Sequence, residues 1–273
     1  MTAIVRDALA WLFAAPMTRE TPEPERVDQV FSGMAVEVLE ARGRWRRVRT
    51  PYRYEGWTLS DSLEEDPARV EQWQKGDLAL VIPPVATLLS GAHPEEAPVY
   101  QLPRGATVTR RGEPDEWGWQ MVEAANGALG FLPDHTLRTL QVRPEEFPDL
   151  RESLARAALD FLKVPYLWGG KSAWGIDCSG LVSLTYLIHG ILIFRDAKLQ
   201  PDFPIYLIPR EQMAKGDLLY FPGHVALYLG EGRYVHATGR KGDEAVVINS
   251  LDPAAADYRA DLAGQLLAVG SYF

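Results

Sequence analysis

The sequence predicts a multidomain chain: two small all-β units in tandem, followed by an α+β domain. Three observations predict it. The composition changes near residue 150, with most of the 20 prolines and many short alternating apolar runs before that point. A set of positions recurs at one spacing: Trp45 and Trp119, Val48 and Val122, Gly56 and Gly130, Trp57 and Phe131 all lie 74 residues apart. Such a repeat is the mark of a duplicated unit. After residue 150 the apolar spacing turns helical, and a cysteine, a second apolar helix and three short strands follow.

Composition bounds the rest. The chain has 273 residues, 47% of them hydrophobic and 24% charged, which excludes global disorder and allows two or three domains. The net charge is −9 with no basic block, so nucleic acid and anionic membrane surfaces are poor partners. With one cysteine, no intrachain disulfide and no multi-cysteine metal site can form. No run approaches the 18 or so apolar residues of a spanning helix. The segment Ala8 to Ala15 carries Arg6 and Asp7 before it and lacks a convincing cleavage site after it. It reads as a strand, which gives the expectation of a cytoplasmic protein; the alternative is export if residues 1–15 act as a signal.

The first unit is placed at residues 1–74. Residues 36–39 and 45–48 read as short half-buried strands, with turns at Gly33, Gly43 and Pro51. The run 10–16 (AWLFAAP) has its counterpart at 86–93 (ATLLSGAH), inside a second unit placed at 75–145. Residues 66–76 (DPARVEQWQKG) read as a short connecting helix. The Trp-x-x-Val strand followed by Gly-aromatic, seen twice, resembles bacterial SH3-like (SH3b) domains, which implies two small barrels.

The third domain spans 146–273 and opens with a helix over 150–162, where Leu154, Ala157, Ala158 and Phe161 recur at helical spacing. Next comes Pro165-Tyr166-Leu167-Trp168-Gly169-Gly170, then Gly175-Ile176-Asp177-Cys178-Ser179-Gly180-Leu181-Val182. The apolar residues after Gly180 predict a helix with Cys178 at its N-terminus, where the peptide dipoles lower a thiol pKa. Strands are predicted at 216–221, at 224–230 beginning with His224, and at 233–237 containing His236, with Gly230-Glu231-Gly232 as a hairpin turn. Antiparallel pairing sets His224 and His236 side by side, a base and its orienting partner for a thiolate nucleophile. Alternatives stand beside these readings. A cysteine before a helix also occurs as inert core. Asp177 reads either as a polar anchor beside the nucleophile or as the helix N-cap. Trp168 and Trp174 read as cleft walls or as core. His93, His135 and His189 are read as structural, His189 on the cysteine helix about three turns from the thiol. Cys178, His224 and His236 as three metal ligands would lack paired spacing, so no metal is expected.

The segments PYLWGG…GIDCSGLV, GDLLYF…HVALYLG and GRYVHA resemble the NlpC/P60 family of cysteine peptidases over about 120 residues. The resemblance implies a papain-like α+β fold, with Cys178 as nucleophile, His224 as base, His236 as the third polar residue and Tyr166 at the oxyanion site. It implies no cofactor. The whole architecture resembles a narrower group, the γ-D-glutamyl-L-diamino acid endopeptidases, also described as dipeptidyl-peptidase VI. That implies release of L-Ala-γ-D-Glu from small murein peptides with a free N-terminal L-Ala, in cell-wall recycling. The same resemblance gives the amine-binding residues as Tyr54 of Tyr54-Glu55-Gly56-Trp57, Glu25, Asp177, Ser179 and Asp196, with the first SH3b unit narrowing the cleft. Ala197 follows Asp196 where serine is common, which touches fine specificity. A monomer acting on a small peptide is expected. The rival readings are a hydrolase of intact peptidoglycan stems, a degenerate wall-binding protein and an acyltransferase or amidase.

Overall fold

A computed structural model describes residues 1–140 and 142–273. It divides into two compact units, Met1–Val142 and Arg143–Phe273. In the first, β1 (Thr2–Val5), β2 (Leu9–Phe13), β3 (Arg26–Phe31), β4 (Ala35–Arg42), β5 (Trp45–Arg49), β6 (Glu55–Leu59) and β7 (Leu63–Glu64) make one antiparallel sheet, ordered β3-β2-β6-β5-β4-β1-β7. After α1 (Pro67–Gln74), β8 (Leu78–Val81), β9 (Val85–Leu89), β10 (Pro98–Pro103), β11 (Thr107–Arg110), β12 (Trp119–Ala124), β13 (Leu129–Pro133) and β14 (Leu137–Thr139) make a second, ordered β10-β9-β13-β12-β11-β8-β14. The two orders are the same strand for strand, so the repeated residues belong to a repeated topology.

The repeat has a packing cause. Val48 and Val122 are both fully buried. A Cβ on Gly56 would stand 2.8 Å from the Cβ of Leu12, and one on Gly130 would stand 2.9 Å from that of Leu88. Each glycine lets β6 or β13 cross close over β2 or β9, and any side chain there would push the strands apart.

The expectation of closed barrels is corrected. Both ladders are open, ending at β3 and β7 and at β10 and β14. β7 has two residues and β14 three, and β10 begins and ends in proline, which has no N–H to donate. Such ends cannot extend the ladder into closure.

The helix α1 starts on a cap: the Asp66 carboxylate accepts from the N–H groups of Ala68 (2.9 Å) and Arg69 (3.2 Å), with Pro67 in the first turn. Two further bonds tie the sheets into one unit. The Trp73 indole N–H donates to the Gly33 carbonyl at 3.1 Å, and the Thr107 N–H donates to the Ser32 carbonyl at 2.7 Å.

The second unit opens with α2 (Leu150–Leu159), capped by Asp149 and burying Leu154, Ala157 and Ala158. The hairpin β15 (Lys171–Ser172) and β16 (Gly175–Ile176) leads into α3 (Cys178–Leu187). Then follow β17 (Tyr206–Ile208), β18 (Leu218–Phe221), β19 (His224–Gly230), β20 (Arg233–Thr238), β21 (Ala245–Ser250), α4 (Ala260–Ala263) and β22 (Ala268–Ser271). The strands from β17 onward form an antiparallel sheet ordered β17-β22-β18-β19-β20-β21. Every residue of α3 from Cys178 to Tyr186 is buried, the mark of a helix enclosed on all sides. Leu219, Phe221, Ala226, Tyr228 and Tyr234 form the core of one sheet face. The β19–β20 turn places Gly230 and Gly232 at φ of 93° and 74°, a conformation glycine accepts without strain, with Glu231 between them at 52°.

His189 is placed differently from the sequence expectation. The helix ends at Leu187, and His189 lies beyond it, buried, with Nδ1 2.7 Å from the Thr185 carbonyl and its ring 4.5 Å from that of Phe147. Among the described residues no helix is long and apolar enough to cross a membrane.

Candidate active site

The site starts at the N-terminus of α3. Asp177 is its N-cap, and its Oδ1 accepts from the Gly180 N–H at 2.6 Å. Cys178 follows as the first helical residue, 6% exposed, with a free thiol. Gly180 allows this placement, because a Cβ there would stand 2.1 Å from the Gly170 carbonyl oxygen. The backbone N–H groups of Val225 and Ser179 favour the thiolate form of Cys178. Val225 is the next residue after His224, so α3 brings Cys178 to the start of β19.

The two histidines meet as the strand register requires. In the β19–β20 ladder Leu227 faces Val235 and Tyr228 faces Tyr234. By that alternation His224 and His236 share a face, and they touch on the diagonal. His224 Nε2 lies 2.7 Å from His236 Nδ1, with the rings at 86°. His236 is fully buried, and its Nε2 lies 2.8 Å from the Asn249 Oδ1 on β21. The Asn249 amide in turn donates to the Asp257 carbonyl at 2.9 Å. Tyr166 is half-buried, its ring packed over Gly239. Burial and the nearby Cys178 and Asp177 push its phenol up to about 12, so it remains a donor.

The electrostatics correct one expectation. A helix N-terminus on its own lowers a thiol pKa, but here burial, aided by the Asp177 carboxylate, pushes Cys178 up to about 11. The donors from Val225 and Ser179 and the Arg195 charge oppose this without reversing it. Burial likewise pulls His224 down to about 3 and His236 to about 4. The resting pair is a neutral thiol beside a neutral imidazole.

Asp177 is held by the fold on both carboxylate oxygens. Its Oδ1 accepts from Gly180 N–H, from the Ser179 hydroxyl (3.2 Å) and from Arg195 (3.0 Å), and its Oδ2 accepts from Gly169 N–H (2.8 Å) and Arg195 (3.1 Å). Asp177 is thus the N-cap of α3, with its charge matched by Arg195. Ser179 is also turned inward, accepting from Arg195 at 2.7 Å. Asp196 is half-buried on the loop after α3. Trp168 and Trp174 are 59% and 47% exposed, which removes the core reading for both. In the first unit, Tyr54 is half-buried just before β6, and Glu25 is exposed just before β3.

Sequence reasoning missed two residues here. Arg195, only 1% exposed, binds Asp177 through two nitrogens and donates to the Gly170 carbonyl at 3.3 Å. Its signal was a single charge ending the apolar run Ile191-Leu192-Ile193-Phe194. Asn249 ends the run Val246-Val247-Ile248 in the same way. Among the described residues no group of three or more His, Cys, Asp and Glu side chains is arranged to hold a metal ion.

The histidine burial gives a pH expectation. In the unfolded chain both rings take a proton near pH 6.5. In the folded chain His236 and His224 do so only near 4 and 3. Within that window, lowering the pH protonates only the unfolded state, so stability is full above pH 6.5 and falls as the pH drops. Urea unfolding at pH 7 and pH 4.5 should differ by several kcal/mol, on the order of 1.4 kcal/mol per ring per pH unit. The difference should shrink in His236→Gln. Equal midpoints at the two pH values would contradict the buried neutral pair.

The model of the NlpC/P60 family matches residues 163–259, a span that holds Tyr166, Cys178, His224, His236 and Asn249. The chain is 38% identical over 282 residues to Dipeptidyl-peptidase 6 of Lysinibacillus sphaericus, covering 100% of both chains. It is 39% identical over 225 residues to the Gamma-D-glutamyl-L-lysine dipeptidyl-peptidase of Bacillus cereus, covering 77% of this chain and 66% of that one. The crystal structure of an NlpC/P60 family protein from Bacillus cereus superposes with a TM-score of 0.78 at 21% identity, covering 100% of this chain and 99% of that one.

Proposed function

The chain belongs to the NlpC/P60 family and is a cysteine peptidase of the peptidoglycan-related kind, and from that premise we propose that it hydrolyses the γ-D-Glu–diamino acid bond of small peptidoglycan-derived peptides with a free N-terminal L-Ala. The observation that carries the reading is Cys178 at the head of α3, beside the first residue of the His224–His236–Asn249 chain. Its support for the substrate comes from the full-length similarity to a Dipeptidyl-peptidase 6.

In the proposed reaction the unbonded ring nitrogen of His224 takes the Cys178 proton as substrate enters. The sulfur attacks the γ-carbonyl of D-Glu. The Cys178 N–H and the Tyr166 hydroxyl hold the oxyanion. The His224 imidazolium protonates the leaving amine of the diamino acid, and water then cleaves the thioester. Burial holds the resting pair neutral, so proton transfer from Cys178 to His224 is proposed to accompany attack on the bound carbonyl and not to precede it.

The two open β sheets are proposed to be SH3-like domains, at 1–74 and 75–145, before a peptidase domain at 146–273. By resemblance to that narrower group, the residues proposed to recognise the substrate ammonium are Glu25, Tyr54, Asp177, Ser179 and Asp196, with Trp168 as a cleft wall. A free-amine requirement admits liberated peptides and excludes lactyl-linked stems, which suits a cytoplasmic monomer engaged in wall-peptide recycling.

The test is cleavage of L-Ala-γ-D-Glu-diaminopimelate and L-Ala-γ-D-Glu-L-Lys, each with a free and an acetylated N-terminus, read by mass spectrometry. Release of L-Ala-γ-D-Glu from the free peptides only, with at least about 100-fold discrimination, is the expected result. Equal cleavage of both forms would remove the amine gate and favour a hydrolase of intact stems.

A further inference from the structure

The hydrogen-bond chain behind His224 fixes more than a position. The Asp257 carbonyl can only accept, so the Asn249 amide nitrogen faces it and the amide oxygen is turned towards His236. That oxygen can only accept in its turn, so His236 carries its proton on Nε2. A neutral His236 then presents a bare Nδ1 to His224, and His224 must hold its own proton on Nε2. On the His224 ring, Nδ1 is then the nitrogen without a proton.

We propose that Asn249 is a positioning residue that sets the tautomer of both histidines, leaving His224 Nδ1 free to accept the Cys178 proton. The inference rests on the reading of Cys178 and His224 as nucleophile and base. Asn249 touches no reacting atom and acts two hydrogen bonds away, through His236. Its neutrality matters as well as its geometry. A carboxylate at this place would attract a second proton onto His236, whereas an amide orients the ring without charging it.

The other charged and titratable groups around the relay do not substitute for Asn249. Tyr234 stacks on His236 from the same strand, with ring centroids 5.2 Å apart. Arg259, at the start of α4, acts on both rings and is itself bound to Asp261 at 2.6 Å and close to Asp243 at 3.7 Å. Asp243 and Asp261 favour protonation and Arg259 opposes it. None of these offers His236 Nε2 the hydrogen bond that Asn249 accepts.

The test combines two measurements on the full chain. The first is the histidine ¹⁵N spectrum, assigned with His224→Gln and His236→Gln. Both rings should show the pattern of a proton on Nε2 in the wild type, and His236 should become a mixture of tautomers in Asn249→Leu. The second is kcat/KM against pH for the free peptide. Asn249→Leu should lower kcat by about 100-fold with KM little changed, as expected when a base spends its time in the wrong tautomer. Asn249→Asp restores the acceptor and should recover most of the kcat, with the acid limb moved up by about one pH unit or more. A merely structural Asn249 would not move that limb.

A proton on His236 Nδ1 in the wild type overturns the proposal, as does an Asn249→Asp profile that overlays the wild type. Should Asn249→Leu fail to fold, the wild-type spectrum and the Asn249→Asp profile still decide. A wild type that cleaves no peptide defeats the functional reading instead, and the tautomer is then judged on the spectrum alone.

Discussion

Cys178→Ala is expected to abolish peptide cleavage, lowering kcat/KM by at least about 10⁴-fold, while the protein stays folded. A nucleophile, its base and their orienting group act as one unit, so removing the nucleophile forfeits nearly the whole effect of the set. The side chain removed is small, and no neighbour depends on it for a charge match. Asp177 remains satisfied by Arg195, Gly169, Gly180 and Ser179. The helix cap therefore survives, and the urea midpoint should move little. The measurement is turnover of the free peptide by mass spectrometry beside an unfolding curve. Retained turnover would show that Cys178 is not the nucleophile. Loss of turnover together with loss of the folded state would leave the decision to Cys178→Ser, which keeps both the volume and the polar atom.

The second large effect is on stability. Arg195→Met leaves the Asp177 carboxylate buried with its counter-charge gone, and the expected cost is about 3–5 kcal/mol. The ion pair is almost wholly enclosed, with side chains 1% and 8% exposed, so solvent cannot replace the guanidinium. The damage reaches the active site, because the same carboxylate holds Gly169 N–H and caps the helix that presents Cys178. Activity should fall with stability. Adding Asp177→Asn removes the stranded charge and should restore part of the loss, since an amide oxygen still caps the helix. Urea unfolding of the single and double variants measures this. A change below about 1 kcal/mol in Arg195→Met would place the pair among surface ion pairs, which its burial contradicts.

Much of the molecule was legible in one dimension because its signals are local. The duplicated Trp-x-x-Val and Gly-aromatic positions marked two like sheets, since a glycine is needed wherever one strand crosses closely over another. Asp66 followed by Pro67 marked the start of α1, and Asp177-Cys178 marked the head of α3, because caps are set within one helical turn. His224 and His236 were paired from strand spacing and a Gly-Glu-Gly turn alone.

What the sequence could not contain was the set of long-range decisions. Whether the β ladders close depends on edge strands meeting in space, and they end open. The role of Asp177 depends on Arg195, 18 residues away along the chain. The tautomer relay depends on Asn249, on a strand that joins only after β19 and β20 have paired. The direction of the Cys178 shift was the sharpest case. A helix N-terminus on its own argues for a lowered pKa, but the folded chain encloses the thiol, and burial together with the Asp177 carboxylate pushes the pKa up. The sequence by itself determined which residues are chemically capable and which local frames hold them. The tertiary structure decided their charge states and partners, because burial and hydrogen bonds between distant segments exist only once the chain has folded.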